Sequence, residues 1–158
     1  MRMARWIVLL VTHAATLAVG FALGVYVLPI LTAPKGPDKA ALEATAATAL
    51  FKGRFDRNLK GSDLLHWGEG EVRLMRDKIA HDGRLSPGPD YKLYLAPEFI
   101  DTKEDFLRIK GTAKRIGDVK TFNGFLLDVP ADVDIRAYST VVIWCEAFSQ
   151  FISAAKYR

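Results

Sequence analysis

Two kinds of hydrophobic pattern divide this chain. From Trp6 to Leu31 there is no Asp, Glu, Lys or Arg, and Ile, Val, Leu, Ala and Gly dominate. About 20 apolar residues cross a hydrocarbon core at a rise of about 1.5 Å per residue, so residues 1–31 are predicted to hold one membrane-spanning helix. From residue 50 to 158 the apolar positions come instead in short groups, several of them alternating, which is the period of strands. Residues 32–49 join the two. TAPKGP at 32–37 breaks the first helix, and the alanine-rich stretch after Asp38, a suitable N-cap, predicts a stalk helix with little to bury.

The strand-like region reads as follows. Phe51 and Phe55 bracket a first strand, and Glu71 to Arg76 alternate after Gly68 and Gly70. Asp82-Gly83 is a strong hairpin signal, which makes the neighbouring His81 an exposed turn residue. Ser86 to Pro89 form a tight loop before an alternating run from Tyr91 to Ala96. Glu98 to Phe106 read as a loop or single helical turn. Leu107–Ala113 and Val119–Phe125 read as strands around turns at Gly117-Asp118 and Asn123-Gly124, and Pro130 marks a connection. Tyr138 to Cys145 form a further strand, and Phe148 to Tyr157 have no clear period. Some seven to nine antiparallel strands with closely spaced turns predict a mainly β fold, a β-sandwich or small barrel, after the N-terminal helix.

One strand stands apart. Val141 to Cys145 are apolar without a break, the composition of a strand buried on both faces. Its end carries the only cysteine, Cys145, beside Trp144 and a carboxylate, Glu146. Val141, Ile143 and Cys145 share one face, while Val142, Trp144 and Glu146 share the other.

Charge orients the chain more than it names a partner. The positive-inside rule, applied to Arg2 and Arg5, puts the N-terminus in the cytoplasm and residues 32–158 outside it. The expected location is the cell inner membrane, single-pass, with a periplasmic or extracellular domain. A cleaved secretory signal is the rival reading, but its apolar region is typically only ~7–15 residues, and Pro29 and Pro34 flank the best cleavage site. The net charge of +4 becomes 20 basic against 18 acidic residues once Arg2 and Arg5 are set aside. No basic stripe for nucleic acid remains.

The chemistry offered is sparse. One cysteine excludes an internal disulfide, a CxxC pair and the CxxCH motif of a c-type haem. It leaves an inert core thiol, a reactive thiol or an intermolecular bridge. Glu146 calls for a cation, and an ion pair is expected. His66, before a glycine pair, could hydrogen-bond a turn or serve Cys145 as a base or a haem or metal ligand. Met75 could be an axial haem ligand, although a strand methionine usually packs. No metal set is indicated. Gly20 and Gly24 form a G-x-x-x-G that could pair two helices in a homodimer. Hydrolase and nucleotide-binding signatures are missing.

Four segments together carry a resemblance: HWGEG at 66–70, PGPDYKLYL at 87–95, IGDVKTFNG at 116–124 and VVIWCEAF at 141–148. In these the chain resembles the electron-transfer DM-thirteen domain family of extracytoplasmic β-rich domains, over roughly residues 50–158. The resemblance implies that Cys145 is the position the family keeps, with a redox role proposed for it. Related chains often join the domain to haem-binding or cytochrome-type membrane domains. Residues 1–158 contain neither, so a separate redox partner is implied. The expected function is thiol- or cofactor-linked electron transfer centred on Cys145, with His66 and Glu146 as tuning residues. The alternative is a non-enzymatic binding or scaffolding module in which Cys145 only fills the core.

Overall fold

A computed structural model describes residues 2–158. Helix α1 (Arg2–Thr32) leads to α2 (Lys39–Thr48) and then to eight strands. Strands β1 (Phe51–Phe55), β2 (Gly68–Leu74), β3 (Lys78–Leu85) and β6 (Phe125–Asp128) form one antiparallel sheet in the order β1-β2-β3-β6. The other sheet has the order β5-β4-β7-β8, from β4 (Tyr91–Ala96), β5 (Lys114–Val119), β7 (Thr140–Cys145) and β8 (Gln150–Lys156). Helix α3 (Lys103–Ile109) lies between β4 and β5 in sequence. The two-sheet sandwich agrees with the predicted mainly β class.

Strand β7 is the buried strand its composition predicts, because both of its faces are covered. Val141, Ile143 and Cys145 join Leu93, Leu95 and Ile152 in the core with residues of the first sheet. Val142 and Trp144 pack with Tyr94 and Phe151 in a second cluster, closed by Phe106 and Ile109 of α3. A central strand with no polar face lets one sheet serve two cores.

Local signals misplace four segments. The β2–β3 reversal falls at residues 75–77, where the Met75 amide donates to the Lys78 carbonyl at 2.8 Å, and not at Asp82-Gly83. Gly83 lies within β3 opposite Gly70, whose φ is +115°. A Cβ on Gly70 would overlap the Asp82 carbonyl and one on Gly83 the Glu69 carbonyl, so this pair permits a close backbone approach rather than a turn. His81 is consequently buried in β3 instead of exposed. Residues 107–113 are largely helical: the Thr102 hydroxyl caps α3 by accepting from the Asp105 amide at 3.2 Å, and Phe106 and Ile109 share the buried face. Gly117-Asp118 lies inside β5. Residues 120–124 form a turn between β5 and β6, closed where the Thr121 hydroxyl donates to the Gly124 carbonyl at 2.6 Å.

The helices are less independent than their composition suggests. Leu42 of α2 is buried against Met75 and Ala80, so the stalk helix packs on the first sheet. Asp38 stands at the N-cap position, but its side chain makes no cap hydrogen bond. Helix α1 is long and apolar enough to cross a membrane, and its 31 residues span about 46 Å against a hydrocarbon core of about 30 Å. Its last turns lie against the sandwich. In residues 21–34 the partly covered positions are Val25, Pro29 and Ala33, a stripe of spacing four. Gly20 and Gly24 have open space around them.

Candidate functional site

Cys145 ends β7 and turns its side chain to the inter-sheet core. It is 2% exposed, and its thiol donates to the Pro89 carbonyl at 3.0 Å. Burial pushes the thiol upward, aided by the nearby carboxylates of Asp90 and Glu146 and only partly opposed by backbone amides. At neutral pH the group is a protonated thiol, not a ready nucleophile.

The loop before β4 brings a second candidate alongside. The Trp67 amide donates to the Ser86 hydroxyl at 3.2 Å, and the Ser86 amide to the Trp67 carbonyl at 2.9 Å. This clasp holds HWGEG against the SPGP loop. His66 thereby reaches the Cys145 neighbourhood, with its Nδ1 2.9 Å from Asp63 Oδ2. Asp63 Oδ1 also accepts from the amides of Leu65 and His66 at 2.7 and 2.8 Å. Partial burial raises the Asp63 carboxyl, but the His66 hydrogen bond and the two amides outweigh it and hold it below the usual carboxylate range. The Asp63-x-x-His66 spacing is visible in the sequence as a turn-capping pattern, although nothing there connects it to Cys145.

Cys145 and His66 line one cavity of about 420 Å³. Its opposite wall is α1, through Phe21, Ala22, Val25 and Tyr26. Pro87, Pro89, Tyr91, Phe148 and Ile152 supply most of the remaining apolar surface. Sequence reasoning overlooked both the helix wall and Tyr91, because a residue's part in a cavity depends on elements distant in the chain.

Glu146 and Met75 belong elsewhere. Glu146 lies past the end of β7 and accepts hydrogen bonds from the Tyr94 hydroxyl and from Lys110 Nζ, the latter at 2.7 Å. Lys110 Nζ also sits 5.2 Å from the centre of the Trp144 ring. Burial raises the Glu146 carboxyl, but Lys110 and Tyr94 outweigh it and hold it below its ordinary value. This is the ion pair expected for it, made over the α3 side and outside the cavity. Lys110→Met leaves a half-buried carboxylate without its cation and is expected to destabilise the fold by about 1–3 kcal/mol, read from urea unfolding. Glu146→Gln in the same background should recover part of that loss. Met75 is buried with Leu42 under α2, so it is a packing residue. Among the described residues no group of three His, Cys, Asp or Glu side chains is placed to hold a metal ion.

No curated protein and no solved structure matches this chain. A family model does: the one described as Electron transfer DM13 matches residues 55–157, from the end of β1 to just past β8 and including both His66 and Cys145. That match covers well over half of the sequence, and the chain belongs to the Electron transfer DM13 family.

Proposed function

We propose that this chain is a membrane-anchored, extracytoplasmic electron-transfer domain whose working site is the cavity floored by Cys145. Membership of an electron-transfer family supports the activity. The apolar α1, with Arg2 and Arg5 before it, supports the anchor and its orientation. The observation that carries the site is that Cys145, His66 and α1 meet at one apolar cavity, with Asp63 holding the His66 ring from outside its lining. A protonated thiol hydrogen-bonded to Pro89 favours the cofactor-linked form of the reading: the electron carrier sits in the cavity against Cys145 and His66.

Thiol labelling of the full chain in lipid nanodiscs tests this. N-Ethylmaleimide, small and uncharged, is expected to modify Cys145 in the folded chain, while a sulfonated thiol reagent is excluded. The thiolate is the reacting species, so the rate should climb about tenfold per pH unit with no plateau by pH 9, the ordinary value from which burial raises this thiol. The 2% exposure of Cys145 also suits a second reading, a binding module in which the cysteine only packs. Labelling that occurs only after unfolding, with Cys145→Ser unchanged in redox assays, would establish that reading instead. Release of the chain by alkaline carbonate would remove the anchor from the proposal.

A further inference from the structure

The composition of the Cys145 cavity selects among electron carriers. No Asp, Glu, Lys or Arg lines it. The lining residues with polar side-chain groups are Tyr26, His66, Tyr91, Cys145 and Gln150. A haem brings carboxylates, and flavin and nicotinamide nucleotides bring phosphates. Each would set anions against an apolar wall with no cation to compensate them. Phospholipid headgroups and fatty acids fail on the same ground. What fits is an uncharged ring with hydrogen-bonding oxygens. The volume of about 420 Å³ is that of an ordinary small-molecule site.

The surroundings indicate the route of entry. Part of the wall is a helix apolar enough to lie in lipid. Beside it Leu64 is 93% exposed, and the lining residues Leu65 and Phe148 are more than half and half exposed. An apolar rim of this kind is placed at low cost only against lipid or a partner.

We propose that the cavity binds the ring of a lipid-soluble quinone, its isoprenoid tail leaving along α1 into the membrane. This deepens the proposed function and rests on its membrane setting. His66 has Nδ1 committed to Asp63, which leaves Nε2 for the ligand. A hydroquinone O–H donates to that nitrogen when the ring is neutral, and the Tyr26 hydroxyl can donate to a quinone carbonyl. Tyr91, Phe148 and the paired prolines supply flat apolar surface for the ring. Quinone and hydroquinone differ by two electrons and two protons, more than a single thiol can supply. The inference therefore concerns binding, and Cys145 is part of the wall.

The test is calorimetric titration of the full chain, in quinone-free phosphatidylcholine nanodiscs, with a decyl-substituted benzoquinone. Saturable binding at one site per chain is expected. Val25→Trp, which fills the cavity from the helix side, should weaken it roughly tenfold or more. His66→Leu should weaken the quinone without altering the melting of the sandwich. Decanol, a tail without a ring, should fail to compete. Non-saturable uptake equal to that of empty nanodiscs, equal displacement by decanol, or full binding by Val25→Trp would each overturn the quinone site. Carbonate extraction and Cys145 labelling on the same samples report separately on the anchor and the cavity, so those can stand while the quinone falls.

Discussion

Trp144→Ala is expected to cost the domain about 3–5 kcal/mol, with a fall in melting temperature of roughly 10–20 °C by calorimetry. Trp144 is fully buried, and its ring centre lies 4.8 Å from that of Phe106 on α3. The loss combines transfer free energy with a cavity that rigid neighbours cannot collapse into, since β7 is held between β4 and β8. It also removes the surface over which Lys110 sits, so the ion pair with Glu146 loses an apolar wall. Trp144→Phe retains an aromatic contact with Phe106 and should cost less than half as much. A loss under about 1 kcal/mol would mean that α3 repacks freely and the second cluster contributes little.

The second large effect is a dependence on acid that traces to His81. Its ring is fully buried between Phe55 and Phe125, with ring centres 5.1 and 5.0 Å away. Nε2 donates to the Glu69 carbonyl at 2.9 Å, while the buried Nδ1 has no partner. Burial lowers the imidazole to about 4, against the smaller opposing effects of the Glu69 carbonyl and the Asp82 carboxylate. The unfolded chain titrates near 6.5, so between 6.5 and about 4 the unfolded state binds more protons. Stability from this group is therefore complete above pH 6.5, declines as pH falls towards 4 and levels off below. The full loss is roughly 3 kcal/mol. Urea unfolding at a series of pH values should show this slope, and His81→Phe should flatten it between pH 6.5 and 4.5. An unchanged slope in that variant would mean that burial of the His81 ring is not the source of the acid sensitivity in this range.

How far the sequence could be read depended on the range of the interaction behind each feature. The buried character of β7 needs no partner to be identified, because a strand without polar positions has no side left for water. The ion pair of Glu146 could be expected from the cost of an unpaired carboxylate. Its partner could not, since Lys110 is 36 residues away in sequence and reaches it only because α3 folds over the sheet. Residues 107–113 have strand-like composition, yet the Thr102 cap and the apolar pair Phe106 and Ile109 favour a helix once a sheet face is there to receive it. Asp82-Gly83 misleads for the opposite reason. The glycine is required by Gly70 on the neighbouring strand, and a local rule cannot see across a ladder.

By itself the sequence determined the apolar helix, the mainly β class, the strand buried on both faces and the lone cysteine at its end. Those follow from composition and period, which act over a few residues. Only the tertiary structure decided what surrounds that cysteine. Pro89 takes the thiol hydrogen, Ser86 and Trp67 clasp His66 alongside, and α1 closes the opposite wall through Val25 and Tyr26. A cavity is the space left when distant segments fail to fill the volume between them, so no single stretch of chain encodes it.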